Sequence, residues 1–172
     1  MTAEQQPTSE PQPSLGSEEF KAVFRHHPAG VCVVTCATSE GPAGFTATSV
    51  ISVAAEPAMF AFSVAAGSTS RRILDSAPSV VVSFLATGQE DLARRFAARG
   101  TDRFAGLEHS VLPTGEPVLP GTMAWVRGIV EQRIPVGDSL LITLRAVRAH
   151  RATDVTRRPL VYLDRSFPQL ES

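Results

Sequence analysis

The chain has 172 residues, of which 43% are hydrophobic and 19% are charged, and its 16 basic and 17 acidic side chains give a formal net charge of -1. This length and composition predict one ordinary domain that can bury a sizeable core without disulfides or a structural metal. A charge so close to zero gives no indication of a nucleic-acid partner.

The first 18 residues differ from the rest of the chain. They combine Gln, Ser and Glu with three prolines and contain no aromatic residue, a composition typical of disorder. We therefore predict a disordered tail over residues 1–18 and a folded domain over residues 19–172. The tail lacks the apolar stretch of a secretory signal, and the longest apolar run, around residues 50–66, contains too many polar residues for a membrane span. A cytoplasmic protein without a membrane segment is expected.

Helical and strand patterns follow one another irregularly in the first half of the domain. Phe20, Val23 and Phe24 recur at helical spacing and predict a short amphipathic helix over residues 18–27. Further runs are rich in Val, Phe, Thr and Ser and are separated by Gly and Pro, which predicts strands. These strands cover residues 31–35, 44–53, 58–64 and 79–85.

Two more helices are predicted around the last of these strands. The first covers residues 69–76, with Ser68 at the N-cap position. The second covers residues 89–99, where Thr87 and Glu90 match the T-x-x-E capping box.

The final third of the chain returns to strand patterns. They cover residues 123–134, an alternating run that contains Leu140 and Ile142, and residues 160–163. Many short strands with few helices, and no regular βαβ order, argue against a doubly wound fold. We therefore expect a mainly β protein built on a closed or nearly closed antiparallel barrel.

The two cysteines belong to one predicted strand. Cys32 and Cys36 are four residues apart, so they face the same side at a separation of about 13 Å. That distance is too long for a disulfide or for two ligands of one metal ion. Both are predicted to be buried apolar side chains.

The common catalytic motifs are absent. The sequence has no G-x-G-x-x-G, P-loop, G-x-S-x-G, H-E-x-x-H or C-x-x-C pattern. None of its four histidines has a second ligand at metal-binding spacing, so no metal site is predicted and the catalytic residues stay unknown.

Hydroxyl side chains are instead concentrated in two short segments, residues 44–49 (GFTATS) and 67–72 (GSTSRR). In the second segment, small residues open a predicted helix and Arg71 and Arg72 follow in its first turn. Such a helix start offers amide donors and positive charge to an anion such as phosphate. An ordinary serine N-cap followed by two solvated arginines explains the same residues.

The order of these segments resembles the flavin reductase-like family, whose fold is the FMN-binding split barrel. The resemblance extends from Phe20 to Leu170, and the joint order of the segments, more than any single one, makes it specific. The segments are residues 28–35 (PAGVCVVT), 44–53 (GFTATSVISV) with Pro57, 68–70 (STS), 83–85 (SFL), 89–97 (QEDLARRFA), 102–106 (DRFAG), 115–119 (GEPVL), 137–138 (GD) and 159–162 (PLVY).

The resemblance implies a fold and a set of binding residues. The fold is a six-stranded antiparallel Greek-key barrel with short helices, assembled as a homodimer with the flavin in a groove near the subunit interface. The implied contacts are Thr46, Ala47, Thr48 and Ser49 to the flavin and its ribityl chain, Ser68, Thr69 and Ser70 near the phosphate, and Ser83, Phe84, Arg103 and Phe104 as further cofactor-facing residues.

The resemblance also implies an activity. Such enzymes transfer a hydride from NADH or NADPH to FMN or FAD, and the reduced flavin leaves for a separate monooxygenase. The family usually has Gly-Asp-His where this chain has Gly137, Asp138 and Ser139, with the histidine on the nicotinamide side. Serine cannot carry a charge near neutral pH. Ser139 therefore keeps open the alternative of a flavin-binding carrier or subunit with little turnover. A third possibility is a split-barrel oxidase that acts on a small substrate or uses a deazaflavin, which no residue of the sequence favours.

Overall fold

The computed structural model describes residues 13–154 and 156–169. Most of the predicted tail, residues 1–12, lies outside this range. The first helix begins at Ser17, so the boundary predicted between residues 18 and 19 falls inside that helix. No helix in the described part of the chain has the length and apolar character needed to cross a bilayer.

Three short helices and eleven strands make up the described structure. The helices are α1 (Ser17–Arg25), α2 (Thr69–Ser76) and α3 (Glu90–Ala97). The strands are β1 (Ala29–Gly30), β2 (Cys32–Thr38), β3 (Gly41–Ala47), β4 (Ile51–Ala55), β5 (Ala58–Ala65), β6 (Ser79–Phe84), β7 (Ser110–Val111), β8 (Pro117–Val118), β9 (Ala124–Val136), β10 (Ser139–Arg151) and β11 (Val161–Tyr162).

Seven of the strands form one antiparallel sheet with the order β3-β2-β6-β9-β10-β5-β4. Strands β3 and β4 lie at opposite edges, yet only residues 48–50 connect them. So short a connection spans only about 10–15 Å, so the two edges must curl toward each other. Counted as one interrupted strand, β3 and β4 give the six strands of the predicted split barrel, which is not fully closed.

The single strand predicted over residues 44–53 is therefore interrupted. Its first part pairs with β2 and its second part with β5. Ser49 lies where the chain crosses from one edge of the sheet to the other. Its hydroxyl accepts a hydrogen bond from the Ser63 amide and donates one to the Ser63 carbonyl, both at 3.0 Å. No local sequence signal marks this break, which exists because the barrel has to close.

Two apolar clusters lie on the two faces of the sheet. The inner cluster contains Val34 and Phe62, and the outer cluster contains Val33 and Phe96 from α3. Adjacent residues of β2 enter different clusters because side chains alternate across a strand. The prediction for the cysteines is confirmed: Cys32 and Cys36 are free, buried and part of the inner cluster.

The capping box predicted for α3 is wrong. The N-cap residue is Gln89, and no side chain caps the helix. Thr87 instead donates its amide hydrogen to the Arg158 carbonyl at 2.8 Å and directs its hydroxyl toward the Pro159 carbonyl. The local pattern assigned the amide and hydroxyl of Thr87 to the helix cap, but both groups face carbonyls of the C-terminal segment instead.

Gly128 in β9 stands where two core side chains leave no room. A Cβ atom there would lie 2.5 Å from the Phe60 ring and 2.9 Å from the Leu144 Cβ. We expect Gly128→Ala to lower the free energy of unfolding by about 1–3 kcal/mol through overpacking. Urea denaturation measures the change, and Gly30→Ala is the control because nothing lies within 4 Å of its added Cβ. Equal midpoints for the two variants would contradict this account.

Candidate functional site

A groove of about 310 Å³ opens where β3 ends and the chain changes edge. One wall comes from β3 and the connection after it, the opposite wall from β5, and the start of α2 closes one end. Both hydroxyl-rich segments predicted from the sequence meet here. The lining residues are Phe45, Thr46, Ala47, Thr48, Ser49, Ser63, Val64, Ala65, Ser68 and Ser70.

The start of α2 supplies a polar group without a partner. Ser68 occupies the N-cap position, as predicted, but its side chain makes no capping hydrogen bond. Its Oγ is buried and has no hydrogen-bond partner in the described part of the chain. Leaving a buried hydroxyl unsatisfied costs about 1–3 kcal/mol, and the first amide groups of a helix also need acceptors. This arrangement fits a phosphate group placed against Ser68.

Other hydroxyls of the groove already have partners inside the protein. Thr46 donates a hydrogen bond to the Ala93 carbonyl of α3 at 2.6 Å. The Ser49 hydroxyl forms its hydrogen bonds with the backbone of Ser63. These two residues hold the wall of the groove in place. Thr48, in contrast, is exposed at the rim. The predicted hydroxyl cluster is thus divided between residues that shape the groove and residues that face into it.

A larger cavity of about 920 Å³ continues from the groove, since Thr48, Ser49 and Ser63 line both. Its far wall is α1, which buries none of its residues. The rings of Phe20 and Phe24 lie 4.6 Å apart on that helix and both line the cavity. The groove therefore leads into a space with an aromatic wall that could receive a second, larger ligand.

Several predicted cofactor-facing residues lie away from the groove lining. Ser83 is completely buried in β6, between Val33 and Trp125 on the neighbouring strands, and its Oγ has no partner in the described part of the chain. Phe84 ends the same strand and is partly exposed. Thr69 is exposed in the first turn of α2, between two lining residues.

Arg103 and Phe104 connect the segment after α3 to the barrel. The guanidinium of Arg103 donates hydrogen bonds to the carbonyls of Gly44 and Ala98. Phe104 packs edge-on against Phe96, with ring centroids 5.2 Å apart, in the outer cluster. In this structure both residues make structural contacts behind β3.

Asp138 and Ser139 lie at the tight turn between β9 and β10, where Gly137 has a φ of 56°. The Asp138 carbonyl accepts a hydrogen bond from the Ala66 amide at 2.8 Å, and Ser139 pairs with Ala65, which lines the groove. The Ser139 hydroxyl donates to the carboxylate of Asp138 at 3.2 Å. Both residues therefore lie beside the groove, at the end near α2.

Ser63 was missed as a groove residue. Phe60, Phe62 and Val64 of β5 belong to the inner cluster, so the alternation of a strand places Ser63 and Ala65 on the other face. That alternation is visible in the sequence and could have identified both. Within the described residues, no group of three or more His, Cys, Asp or Glu side chains is placed to hold a metal ion.

Comparison with known proteins gives a consistent result. The model of the flavin reductase like domain matches residues 24–171. An NADH:FMN oxidoreductase from Rhodococcus qingshengii is 43% identical over 158 residues, which cover 90% of this chain and 82% of that protein. The reductase component of a flavin-dependent trigonelline monooxygenase from Acinetobacter baylyi is 32% identical over 125 residues, 72% of this chain and 40% of that protein. An NADH:FAD oxidoreductase from Streptomyces globisporus, solved with NAD and FAD fragments, superposes with a TM-score of 0.83 at 27% identity, over 90% of this chain and 92% of that one.

Proposed function

Because the chain belongs to the flavin reductase-like family, we propose that it is an NAD(P)H:flavin oxidoreductase that supplies reduced FMN or FAD to a partner monooxygenase. The observation that carries this proposal is the groove beside α2, where the buried Ser68 hydroxyl has no partner in the described part of the chain. A flavin phosphate satisfies that hydroxyl and the first amide groups of the helix.

The residues of the groove have separate tasks in this proposal. Ser68 and Ser70 hold the phosphate, Thr48 faces the ribityl chain, and Thr46 and Ser49 keep the wall rigid through their internal hydrogen bonds. The bound nicotinamide and flavin supply the hydride chemistry themselves. The protein has only to place the two rings in contact and limit access of water, so the absence of the common catalytic motifs from the sequence does not contradict the proposal.

The proposed activity is tested by mixing purified protein anaerobically with NADH or NADPH and with FMN or FAD. We expect the flavin absorbance to bleach much faster than in the same mixture without protein. If the protein does not accelerate flavin bleaching with any of the four combinations, the proposal is wrong. The spectrum of the protein as purified tells in addition whether a flavin stays bound.

We further propose that the enzyme is a homodimer and acts in the cytoplasm. Every residue of β4 is exposed, and its Ile51 lies on the same face of the sheet as Ile134, since Ala61 and Ser63 connect them through the strand register. Ile51 and Val53 are each 57% exposed, and Val136 is 54% exposed. A second copy that covers this apolar face removes it from water.

The homodimer has a direct test. Ile51→Asp combined with Val53→Asp places two charges on the exposed strand, and we expect the protein to change from a dimer to a monomer because burying unpaired carboxylates is costly. Light scattering after size exclusion measures the mass. A wild-type protein that is already monomeric, or a variant that stays dimeric, would contradict the proposed interface.

Ser139 favours a second candidate function, a flavin-binding carrier or subunit with little turnover of its own. Its hydroxyl is engaged by the neighbouring Asp138, whereas the histidine usual in the family can carry a positive charge near neutral pH. If this function is correct, FMN or FAD binds while NADH oxidation stays at background, and Ser139→His raises the turnover. Steady-state NADH oxidation measures it. An active wild-type enzyme that Ser139→His leaves unchanged rules the carrier function out.

A further inference from the structure

Arg133 joins the far end of α2 to the barrel. Its side chain leaves β9 on the face shared by Ile142, its partner across the strands and a member of the inner cluster. The guanidinium donates one hydrogen bond to the Leu74 carbonyl at 2.9 Å and another to the Ala77 carbonyl at 2.7 Å. Both acceptors lie at the C-terminal end of α2, the end opposite to the groove.

We propose that Arg133 is a positioning residue for the phosphate of the flavin, acting through α2. This inference rests on the proposed function, because it assigns the phosphate to the N-terminal end of that helix. Arg133 does not line the groove. It fixes the direction of the helix that carries Ser68 and Ser70 into it.

The helix is short, with eight residues, of which only Leu74 is buried. Its apolar contacts with the barrel lie toward the same C-terminal end, since Leu74 and the following Ala77 belong to the inner cluster and Ile73 packs against it. Helices of about two turns are marginal by themselves in water. The ion pair between Arg71 and Asp75, 3.7 Å long, runs along the helix itself and does not attach it to the sheet. The two hydrogen bonds from Arg133 do so, and a cation at this end is also favourable to the helix dipole.

Motion at one end of a short helix is transmitted to the other. Eight residues form a rod of about 12 Å, so a change of tilt at Leu74 and Ala77 displaces the hydroxyl and amide donors at Ser68. The walls that face the rest of the flavin belong to β3 and β5, which pair with other strands of the sheet. Loss of Arg133 should therefore weaken contacts to the phosphate and leave contacts to the ring and ribityl chain unchanged.

Riboflavin, which lacks the phosphate, separates these two effects. Dissociation constants for FMN and riboflavin are measured by quenching of flavin fluorescence with wild type, Arg133→Met and Arg133→Lys. We expect Arg133→Met to weaken FMN binding about tenfold, about 1.4 kcal/mol, and to change riboflavin binding less than twofold. Arg133→Lys should fall between, because a single ammonium does not reproduce the planar fork that reaches two carbonyls.

Arg145→Met is the matched control. Arg145 lies on the neighbouring strand β10 and forms an exposed ion pair with Glu131 at 2.7 Å, so its removal should change neither flavin. If wild type prefers FMN and the Arg133 variants keep the same ratio of the two constants, the positioning role is wrong and the proposed function stands. An equal loss for both flavins is one such result, and it indicates general loosening of the protein. If wild type binds neither flavin, both proposals fail. Arg133→Lys decides the question should Arg133→Met not fold.

Discussion

Glu116→Ala is expected to lower the free energy of unfolding by about 3–5 kcal/mol, the range for breaking a buried ion pair by removal of one partner. Glu116 is 1% exposed, and its carboxylate accepts hydrogen bonds from the hydroxyls of Ser79 and Thr114 and from Arg127 Nε, the last at 2.8 Å. Arg127 is itself mostly buried. Alanine at position 116 leaves that guanidinium charge without its counterion.

Glu131→Ala is the control for this prediction. Glu131 also pairs with an arginine on a neighbouring strand, Arg145, but both side chains are substantially exposed. Exposed pairs contribute about 0–1 kcal/mol. Urea denaturation of the two variants at pH 7 measures the difference, and a Glu116→Ala variant that loses no more stability than Glu131→Ala would show that the buried network contributes little.

Low pH should remove the contribution of Glu116 to the free energy of unfolding. Burial raises the pKa of its carboxyl, but hydrogen bonds from Ser79, Thr114 and Arg127 outweigh it and hold the pKa below its ordinary value. A carboxyl with a lower pKa in the folded state stabilises the protein fully above its unfolded pKa of about 4.3, and this is lost as the pH falls through the folded pKa. The stability difference between wild type and Glu116→Ala is thus expected to be constant from pH 7 to 5.5 and to shrink below pH 4.

Local signals predicted the elements that depend on local contacts. The bounds of α2 agree with the prediction at both ends, because a serine before the helix and a proline after it act on adjacent residues. The capping box at Thr87 failed because distant carbonyls took its donors. The break at residues 48–50 could not be predicted either, since nothing in the residues themselves requires the edges of the sheet to meet.

Prediction of the candidate site from the sequence has the same limit. The sequence located most of its hydroxyl groups, although not that of Ser63, and six of the predicted residues line one groove. It could not tell that the Thr46 hydroxyl is bonded to α3 while that of Ser68 has no partner in the described part of the chain. Nor could it find Arg133, whose acceptors lie 59 and 56 residues away along the chain. Which polar group is occupied depends on tertiary contacts.

Ser68→Ala should therefore affect function and stability in opposite directions. A hydrogen bond to a charged group contributes about 1.5–3 kcal/mol, so we expect FMN binding to weaken about ten- to one-hundredfold. Riboflavin binding should stay the same. Because the hydroxyl is buried without a partner in the described part of the chain, its removal should not lower the free energy of unfolding of the ligand-free protein, and it relieves a desolvation cost.

Thr46→Val gives the reverse pattern if the division of the hydroxyl cluster is correct. Its hydroxyl is already bonded to the Ala93 carbonyl, so an isosteric side chain without the hydroxyl should cost about 1 kcal/mol of stability and leave the ratio of FMN to riboflavin affinity unchanged. For each of the two variants, fluorescence titration measures the flavin affinities and urea denaturation measures the stability. If Ser68→Ala loses stability but keeps its FMN affinity, the Ser68 hydroxyl stabilises the fold and does not bind the phosphate, which contradicts the proposal.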